Sequence, residues 1–105
     1  MNEITPAELA ALGSSATIID VRQPEEFAEV RVAGAELVPL GELPARFMEL
    51  PADETLYIMC RSGGRSAQAT AFLDAQGFEA VNVRGGMIDW VGAGLPVESG
   101  PSDGR

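Results

Sequence analysis

The chain has 105 residues, of which 46% are hydrophobic and 22% charged, and it carries a formal net charge of -9 at pH 7. This length and composition predict one soluble globular domain, and no apolar run reaches the roughly 20 residues that span a bilayer. We therefore expect no membrane partner, and because the negative charge would repel a phosphate backbone we expect no nucleic acid partner. Because the N-terminus does not resemble a signal peptide, we expect a cytoplasmic location.

Two residue types are missing altogether. All seven basic residues are arginine, and the chain contains neither lysine nor histidine. This excludes a lysine Schiff base, a Cys-His or Ser-His nucleophile pair and a histidine-bound zinc ion. Cys60 is the single cysteine, which further excludes an intramolecular disulfide, a CxxC redox pair and a multi-cysteine metal site. We therefore expect no metal and no cofactor.

The chain begins with a strongly marked helix start. Thr5 is predicted to be the N-cap, Pro6 the first helical residue and Glu8 the capping-box partner, and the helix is expected to end at Gly13. Residues 17–21 (TIIDV) then form a short β-branched run that is typical of a fully buried strand.

The middle of the chain contains shorter elements. We expect a helical turn at residues 24–27, a brief strand at 37–40 and a short helix at 43–50. Residues 56–59 (LYIM) are the clearest predicted strand, and this strand runs directly into Cys60.

The last third of the chain continues the alternation of helix and strand. Residues 66–76 show apolar side chains at helical spacing, residues 80–83 form a further strand, and a short amphipathic piece ends at Trp90. This order of elements predicts a parallel sheet that is covered on both faces. We expect one domain over residues 1–98 and a flexible C-terminal tail over residues 99–105.

The segment CRSGGRS, residues 60–66, lies between a predicted buried strand and a predicted helix. Ligands of open α/β sheets bind at the carboxyl ends of the strands. Gly63 and Gly64 allow the backbone to turn successive N–H groups inward as a nest for an anion, and the helix adds the positive end of its dipole. Arg61 and Arg65 add two positive charges. Such an environment lowers the pKa of a cysteine without any histidine base.

Each part of this segment also has a simpler interpretation. A lone cysteine after an apolar strand is more often a small buried hydrophobic residue, two glycines often form an ordinary turn, and single arginines usually lie on the surface. The combination of all three at a strand-to-helix turn has no packing purpose. It therefore favours a cysteine nucleophile in an anion-binding loop.

The sequence resembles the rhodanese-like family over nearly the whole chain, through the segments IDVRQPEEF, VAGA, LYIMCRSGGRS and VRGGMIDW. The resemblance implies an α/β fold with a five-stranded parallel sheet and helices on both faces. It also implies that Cys60 takes up sulfane sulfur and passes it on. Where the family commonly has Gly-His-Ile, this chain has Val30, Arg31 and Val32; we expect this site to be structural.

The expected reaction is a two-step transfer by a thiosulfate sulfurtransferase. The Cys60 thiolate attacks the outer sulfur of a small anionic donor such as thiosulfate, and a thiol or cyanide acceptor, with a thioredoxin-like protein among the candidates, removes the sulfur. We expect the two loop arginines to orient the donor and the loop N–H groups to bind the transferred sulfur. The expected substrate-binding residues are Arg61, Ser62, Gly63, Gly64 and Arg65.

The other noted side chains are expected to support the scaffold. Arg22 and Glu26 are spaced to pair across a turn as an exposed ion pair, and Asp20 could instead hold Arg22 or approach the loop. Trp90 and Phe72 are expected in the core.

Two other functions remain open from the sequence. A phosphatase or arsenate reductase also uses a cysteine loop, but the phosphatase pattern places its arginine six positions after the cysteine, and Arg65 is five positions after Cys60. A non-catalytic interaction module, or a domain that only carries a persulfide, is the second alternative. A nucleotide-binding loop is disfavoured because the chain lacks the P-loop lysine.

Overall fold

Five short parallel strands form one sheet in the computed structural model, which describes residues 1–100. The strands are β1 (Asn2–Ile4), β2 (Thr17–Asp20), β3 (Glu36–Leu37), β4 (Leu56–Met59) and β5 (Ala80–Val83). Their order across the sheet is β1-β5-β4-β2-β3, so β4 lies at the centre. The predicted α/β class and the five-stranded parallel sheet are confirmed.

Helices connect the strands and cover both faces of the sheet. They are α1 (Pro6–Leu12), α2 (Pro24–Glu29), α3 (Leu43–Arg46), α4 (Gly64–Ala75) and α5 (Gly86–Gly92). The start of α1 is as predicted, because the Thr5 hydroxyl accepts a hydrogen bond from the Glu8 N–H and the Glu8 carboxylate accepts one from the Thr5 N–H. None of the helices within residues 1–100 has the length and apolar character required to traverse a bilayer.

Two hydrophobic cores lie on opposite faces of the sheet, because successive side chains of a strand point to opposite sides. The first core joins β2 and β4 to α3 and α4 through Ile19, Leu43, Ile58 and Leu73. The second core joins the same strands to α1 and α5 through Leu9, Ile18, Met59 and Trp90. Phe72 packs against the first core, so the core positions predicted for both aromatic residues are confirmed.

The structure differs from the predicted elements at the weakest signals. β1 was not predicted, because Asn2 and Glu3 are polar and exposed at an edge of the sheet, where only Ile4 is partly buried. In place of the strand predicted at residues 37–40, the structure has a shorter strand at Glu36–Leu37. The chain then turns into a short 3-10 helix at Leu40–Glu42.

The predicted exposed pair of Arg22 with Glu26 is wrong. Arg22 is only 2% exposed, and its guanidinium binds the fully buried Asp20 carboxylate, with Nη2 to Oδ2 at 2.8 Å and Nε to Oδ1 at 2.9 Å. The remaining Nη2 and Nη1 donors bind the carbonyl oxygens of Val30 and Glu26 at 2.7 and 3.3 Å. Arg22 thus ties the end of β2 to the end of α2, and of the two roles considered for Asp20 the structure shows the one in which it holds Arg22.

Arg31 anchors the C-terminal segment. Its backbone forms a two-bond antiparallel bridge with Glu98, with N···O distances of 2.9 and 2.8 Å, and its Nη1 donates to the Gly100 carbonyl at 2.8 Å. The Arg31 guanidinium also lies 5.3 Å from the centroid of the Phe27 ring. The expected tail at residues 99–105 therefore begins as a hydrogen-bonded segment, and residues 101–105 lie outside the described part of the chain.

Loss of the buried Arg22 charge is expected to destabilise the fold strongly. Arg22→Met leaves the Asp20 carboxylate buried without its partner, which should lower the free energy of unfolding by about 3–5 kcal/mol. Urea denaturation of both proteins measures the difference. Arg46→Met is the matched control, because Arg46 forms surface pairs with Glu42 and Glu49 and should cost at most about 1 kcal/mol. Equal losses in the two variants would contradict this account.

Candidate active site

Cys60 lies directly after the central strand β4, at the edge of the sheet where the parallel strands end. The following residues curl through one turn and enter α4 at Gly64. This is the position at which open α/β sheets bind ligands. The Cys60 side chain is nevertheless almost fully buried, with the residue only 1% exposed.

Two polar groups of the turn contact the Cys60 sulfur. The Gly63 N–H donates to Sγ at 3.0 Å, and the Ser66 Oγ lies 3.2 Å from Sγ. Gly63 has a φ of 106°, a left-handed backbone conformation that residues other than glycine rarely adopt. The sulfur therefore sits at the N-terminus of the 12-residue helix α4, inside a turn that depends on this glycine.

Opposing effects set the pKa of the Cys60 thiol. Burial, the largest single cause, raises the pKa because it disfavours the charged thiolate. The Ser66 hydroxyl and the N–H groups of Ser66, Gly63 and Ser62 stabilise the thiolate, and together they lower the pKa below its ordinary value. The hydrogen bonds of the turn thus favour the thiolate, and none of them comes from a histidine.

Ser66 is a site residue that the sequence analysis missed. It was assigned only as the start of a helix, yet its hydroxyl is fully buried and contacts the sulfur. The available signal was its position as the third residue of α4, because a side chain in the first turn of a helix lies close to the loop that precedes it.

The Arg65 guanidinium forms an ion pair with Glu26. Its two terminal nitrogens bind the two oxygens of the Glu26 carboxylate at 2.7 and 2.8 Å. These hydrogen bonds lower the pKa of Glu26 to about 2, so Glu26 stays ionised at any ordinary pH. The pair joins the first turn of α4 to α2, and the charge of Arg65 is compensated.

Arg61 is the cation of the loop that remains available. It is exposed, and it is the one arginine within residues 1–100 that forms no ion pair. The arginines that do form ion pairs are Arg22, Arg31, Arg46, Arg65 and Arg84. Arg61 borders a cavity of about 420 Å³ between α2 and α5. Arg61 and Arg65 therefore have different surroundings, although both were expected to orient the donor.

The lack of a side chain at Gly86 allows α5 to approach the Cys60 loop closely. A Cβ atom at Gly86 would lie 2.3 Å from the Cys60 carbonyl oxygen and 2.7 Å from the Arg61 carbonyl group, closer than atoms can pack. The backbone of α5 takes up this space, since the Met87 N–H donates to the Cys60 carbonyl at 2.9 Å and the Ile88 N–H to the Arg61 carbonyl at 3.0 Å. The loop is therefore held by α5 on one side and by Glu26 on the other.

The remaining predicted site residues, Ser62 and Gly64, are exposed at the surface of the turn. Within the described residues 1–100, no group of three histidine, cysteine, aspartate or glutamate side chains is arranged to bind a metal ion. The site is thus built from one thiol, backbone N–H groups, one hydroxyl and arginines, which suits the binding of a sulfur anion.

The fold and this site define a class of α/β protein in which a cysteine follows the central strand of a parallel sheet and its sulfur accepts a backbone N–H of the next turn. The chain belongs to the rhodanese-like domain family, because the family profile of that description matches residues 5–93. The resemblance inferred from the sequence is confirmed.

Known proteins of similar sequence and structure agree with this family. A protein named "Sulfurtransferase" from Allochromatium vinosum is 43% identical over 81 residues, which cover 76% of each chain. The crystal structure of a rhodanese-related protein from Thermoplasma volcanium matches with a TM-score of 0.90 and 33% identity, over 93% of this chain and 98% of that one. A rhodanese-like domain protein from Staphylococcus aureus matches with a TM-score of 0.81 and 40% identity, over 86% and 91% of the two chains.

Removal of the Ser66 hydroxyl is expected to raise the pKa of the Cys60 thiol. In Ser66→Ala the thiolate loses a donor, so a higher pH is needed to ionise it. The ultraviolet absorbance of the thiolate, with Cys60→Ser as the blank, follows this titration and should show an upward shift. Ser14→Ala, an exposed serine outside the site, should titrate like the parent protein. An unchanged midpoint in Ser66→Ala would contradict the role of the hydroxyl.

Proposed function

We propose that this chain transfers sulfane sulfur from thiosulfate to a thiol or cyanide acceptor through a persulfide on Cys60. The single observation that carries the proposal is the sulfur itself, which accepts the Gly63 N–H at 3.0 Å and lies 3.2 Å from the Ser66 hydroxyl. The Gly63 N–H, and the Ser66 hydroxyl when it donates, stabilise a negative sulfur without a histidine base. Membership of the rhodanese-like family and the name of the Allochromatium vinosum relative support sulfur transfer in general.

In the first step the Cys60 thiolate attacks the outer sulfur of thiosulfate. A new sulfur–sulfur bond forms to Cys60, the sulfur–sulfur bond of thiosulfate breaks, and its electron pair leaves with sulfite. The product is an anionic persulfide, so the negative charge moves outward by one sulfur atom. The N–H groups of residues 61–65 would hold that atom, as an oxyanion hole holds an oxygen.

Arg61 is proposed to orient the donor, and Arg65 to hold the loop. Arg61 is exposed and has no carboxylate partner within residues 1–100, so its guanidinium can bind the sulfonate end of thiosulfate. Arg65 already binds Glu26 through two hydrogen bonds. Its role is therefore to fix the first turn of α4, which carries Ser66, against α2.

In the second step an acceptor removes the outer sulfur. A thiolate or cyanide attacks that atom, the bond to Cys60 breaks, and the electron pair returns to the Cys60 sulfur as thiolate. The Gly63 and Ser66 donors stabilise this leaving group. The same turn therefore serves both half-reactions, and the chain ends the cycle in its starting form.

Incubation with thiosulfate should add the mass of one sulfur atom to the protein. Cys60→Ser, which replaces the single cysteine, should gain no mass, and added cyanide should remove the sulfur from the parent protein as thiocyanate. Intact-mass spectrometry and a colorimetric thiocyanate assay measure the two steps. A persulfide that forms but does not turn over would indicate a carrier domain. An unchanged mass would refute the proposal.

Removal of the Arg61 charge should weaken thiosulfate binding. Arg61→Ala is expected to raise the KM for thiosulfate by about tenfold, since an arginine–anion hydrogen bond of modest strength is lost. Steady-state kinetics with cyanide as acceptor measures this change. Arg46→Ala, on α3 and paired at the surface, should leave the KM unchanged. If Arg61→Ala has the same KM for thiosulfate as the parent protein, Arg61 does not bind the donor.

The phosphatase alternative is disfavoured by the loop. Arg65 is one position closer to Cys60 than the arginine of the phosphatase pattern, and it is bound to Glu26 instead of being available for a phosphate. An aryl phosphate is therefore a suitable negative control substrate in the same assays.

A further inference from the structure

A groove lies beside the Cys60 loop, between α2 and α5. Its volume is about 420 Å³, which is within the range of clefts that enclose ligands much larger than thiosulfate. Its walls are residues of α2 and α5, and Arg61 forms one border. A small inorganic donor would leave most of this space empty.

The groove borders the Cys60 loop, and Cys60 itself is buried and does not line it. Arg61, which follows Cys60 in the chain, forms one border of the groove. Met87 and Ile88, on the α5 side, donate their N–H groups to the carbonyl oxygens of Cys60 and Arg61 at 2.9 and 3.0 Å. A molecule bound in the groove therefore contacts the residues that hold the loop in place.

The α5 wall of the groove is apolar and partly uncovered. Ile88 and Val91 lie three residues apart on one side of α5, and they are 49% and 51% exposed. Met87 is buried beside them, and Val30 is half-buried at the end of α2. Exposed aliphatic side chains that border a reactive site are typical of a surface that receives an apolar group.

The α2 wall is acidic. Glu25 and Glu29 lie four residues apart on the same side of α2, both exposed, and neither forms an ion pair within residues 1–100. Glu26 and Arg22, which also border the groove, are compensated by Arg65 and Asp20. The uncompensated charges are thus two carboxylates along α2 and the single Arg61 cation next to Cys60.

We propose that this groove binds a protein thiol acceptor in which basic and apolar residues flank the accepting cysteine. The basic residues would face Glu25 and Glu29, an apolar side chain would contact Ile88 and Val91, and the acceptor thiolate would approach along Arg61. This assignment rests on the function proposed above and specifies its acceptor. An acidic peptide or an anionic thiol such as glutathione would be repelled by α2 and by the net charge of -9.

Short synthetic peptides test the proposal with the full chain. The protein is first loaded with thiosulfate, and its persulfide is verified by intact mass. Sulfur transfer is then followed to an end-capped Lys-Leu-Cys-Leu-Lys peptide, to one with glutamates in place of the lysines, to one with serines in place of the leucines, and to glutathione. We expect the basic apolar peptide to show a kcat/KM about tenfold above those of the other three at low salt, and this advantage should shrink as salt rises.

Matched variants locate the preference. The double variant Glu25→Gln/Glu29→Gln should lose most of the advantage of the basic peptide, by about fivefold, and should keep the parent rate with cyanide. Glu36→Gln/Asp74→Asn removes two charges from exposed carboxylates outside the groove and should retain the advantage. Equal rates for the basic and acidic peptides, or an equal effect of both double variants, would overturn the proposal.

A binding measurement separates this proposal from the function on which it rests. Fluorescent peptides with serine in place of cysteine cannot accept sulfur, but they should show the same order of affinity by anisotropy. If no persulfide forms and the basic peptide still binds through Glu25 and Glu29, the reaction is wrong and the binding groove stands. If the persulfide forms and the peptides do not differ in either assay, the groove proposal fails and the sulfur chemistry stands.

Discussion

The proposed chemistry depends on two opposing effects on the pKa of the Cys60 thiol. Burial of Cys60 disfavours its thiolate, and hydrogen bonds from Ser66, Gly63 and the loop N–H groups favour it more. These donors act only while the turn keeps its shape. Gly63 supplies the left-handed backbone, the close approach of α5 at Gly86 supports the turn from one side, and the fold positions both around the end of the central strand.

The ion pair of Arg65 with Glu26 gives the two arginines of the loop, Arg61 and Arg65, different roles. An arginine whose charge is compensated by a carboxylate attracts a substrate anion less strongly, but its two hydrogen bonds hold α2 and α4 together. Arg61, without such a partner in the described chain, keeps its charge available at the mouth of the groove. Two arginines of one motif therefore have different surroundings, and the difference is set by a residue 39 positions away in sequence.

Local signals in the sequence predicted most of the fold and the turn that follows Cys60. The cap at Thr5, the apolar strand before Cys60 and the glycine-containing turn after it are short-range patterns, and each was found where expected. The predictions failed where a partner lies far along the chain or where packing decides. Arg22 was expected at the surface, yet the turn after β2 folds it back onto Asp20. β1 has no apolar pattern of its own and forms only because β5 offers a free edge.

The anchoring of the C-terminal segment has a practical consequence for handling the protein. Arg31 and the Ala28 carbonyl hold Gly100 against α2, with hydrogen bonds of 2.8 and 2.7 Å. Anything fused behind the chain is therefore joined, through residues 101–105, to a residue that is bound to the helix carrying Glu25 and Glu29. β1 lies at the sheet edge beyond β5, away from β2 and the helix that follows it. Affinity tags, dyes and surface linkers are better attached ahead of the first residue.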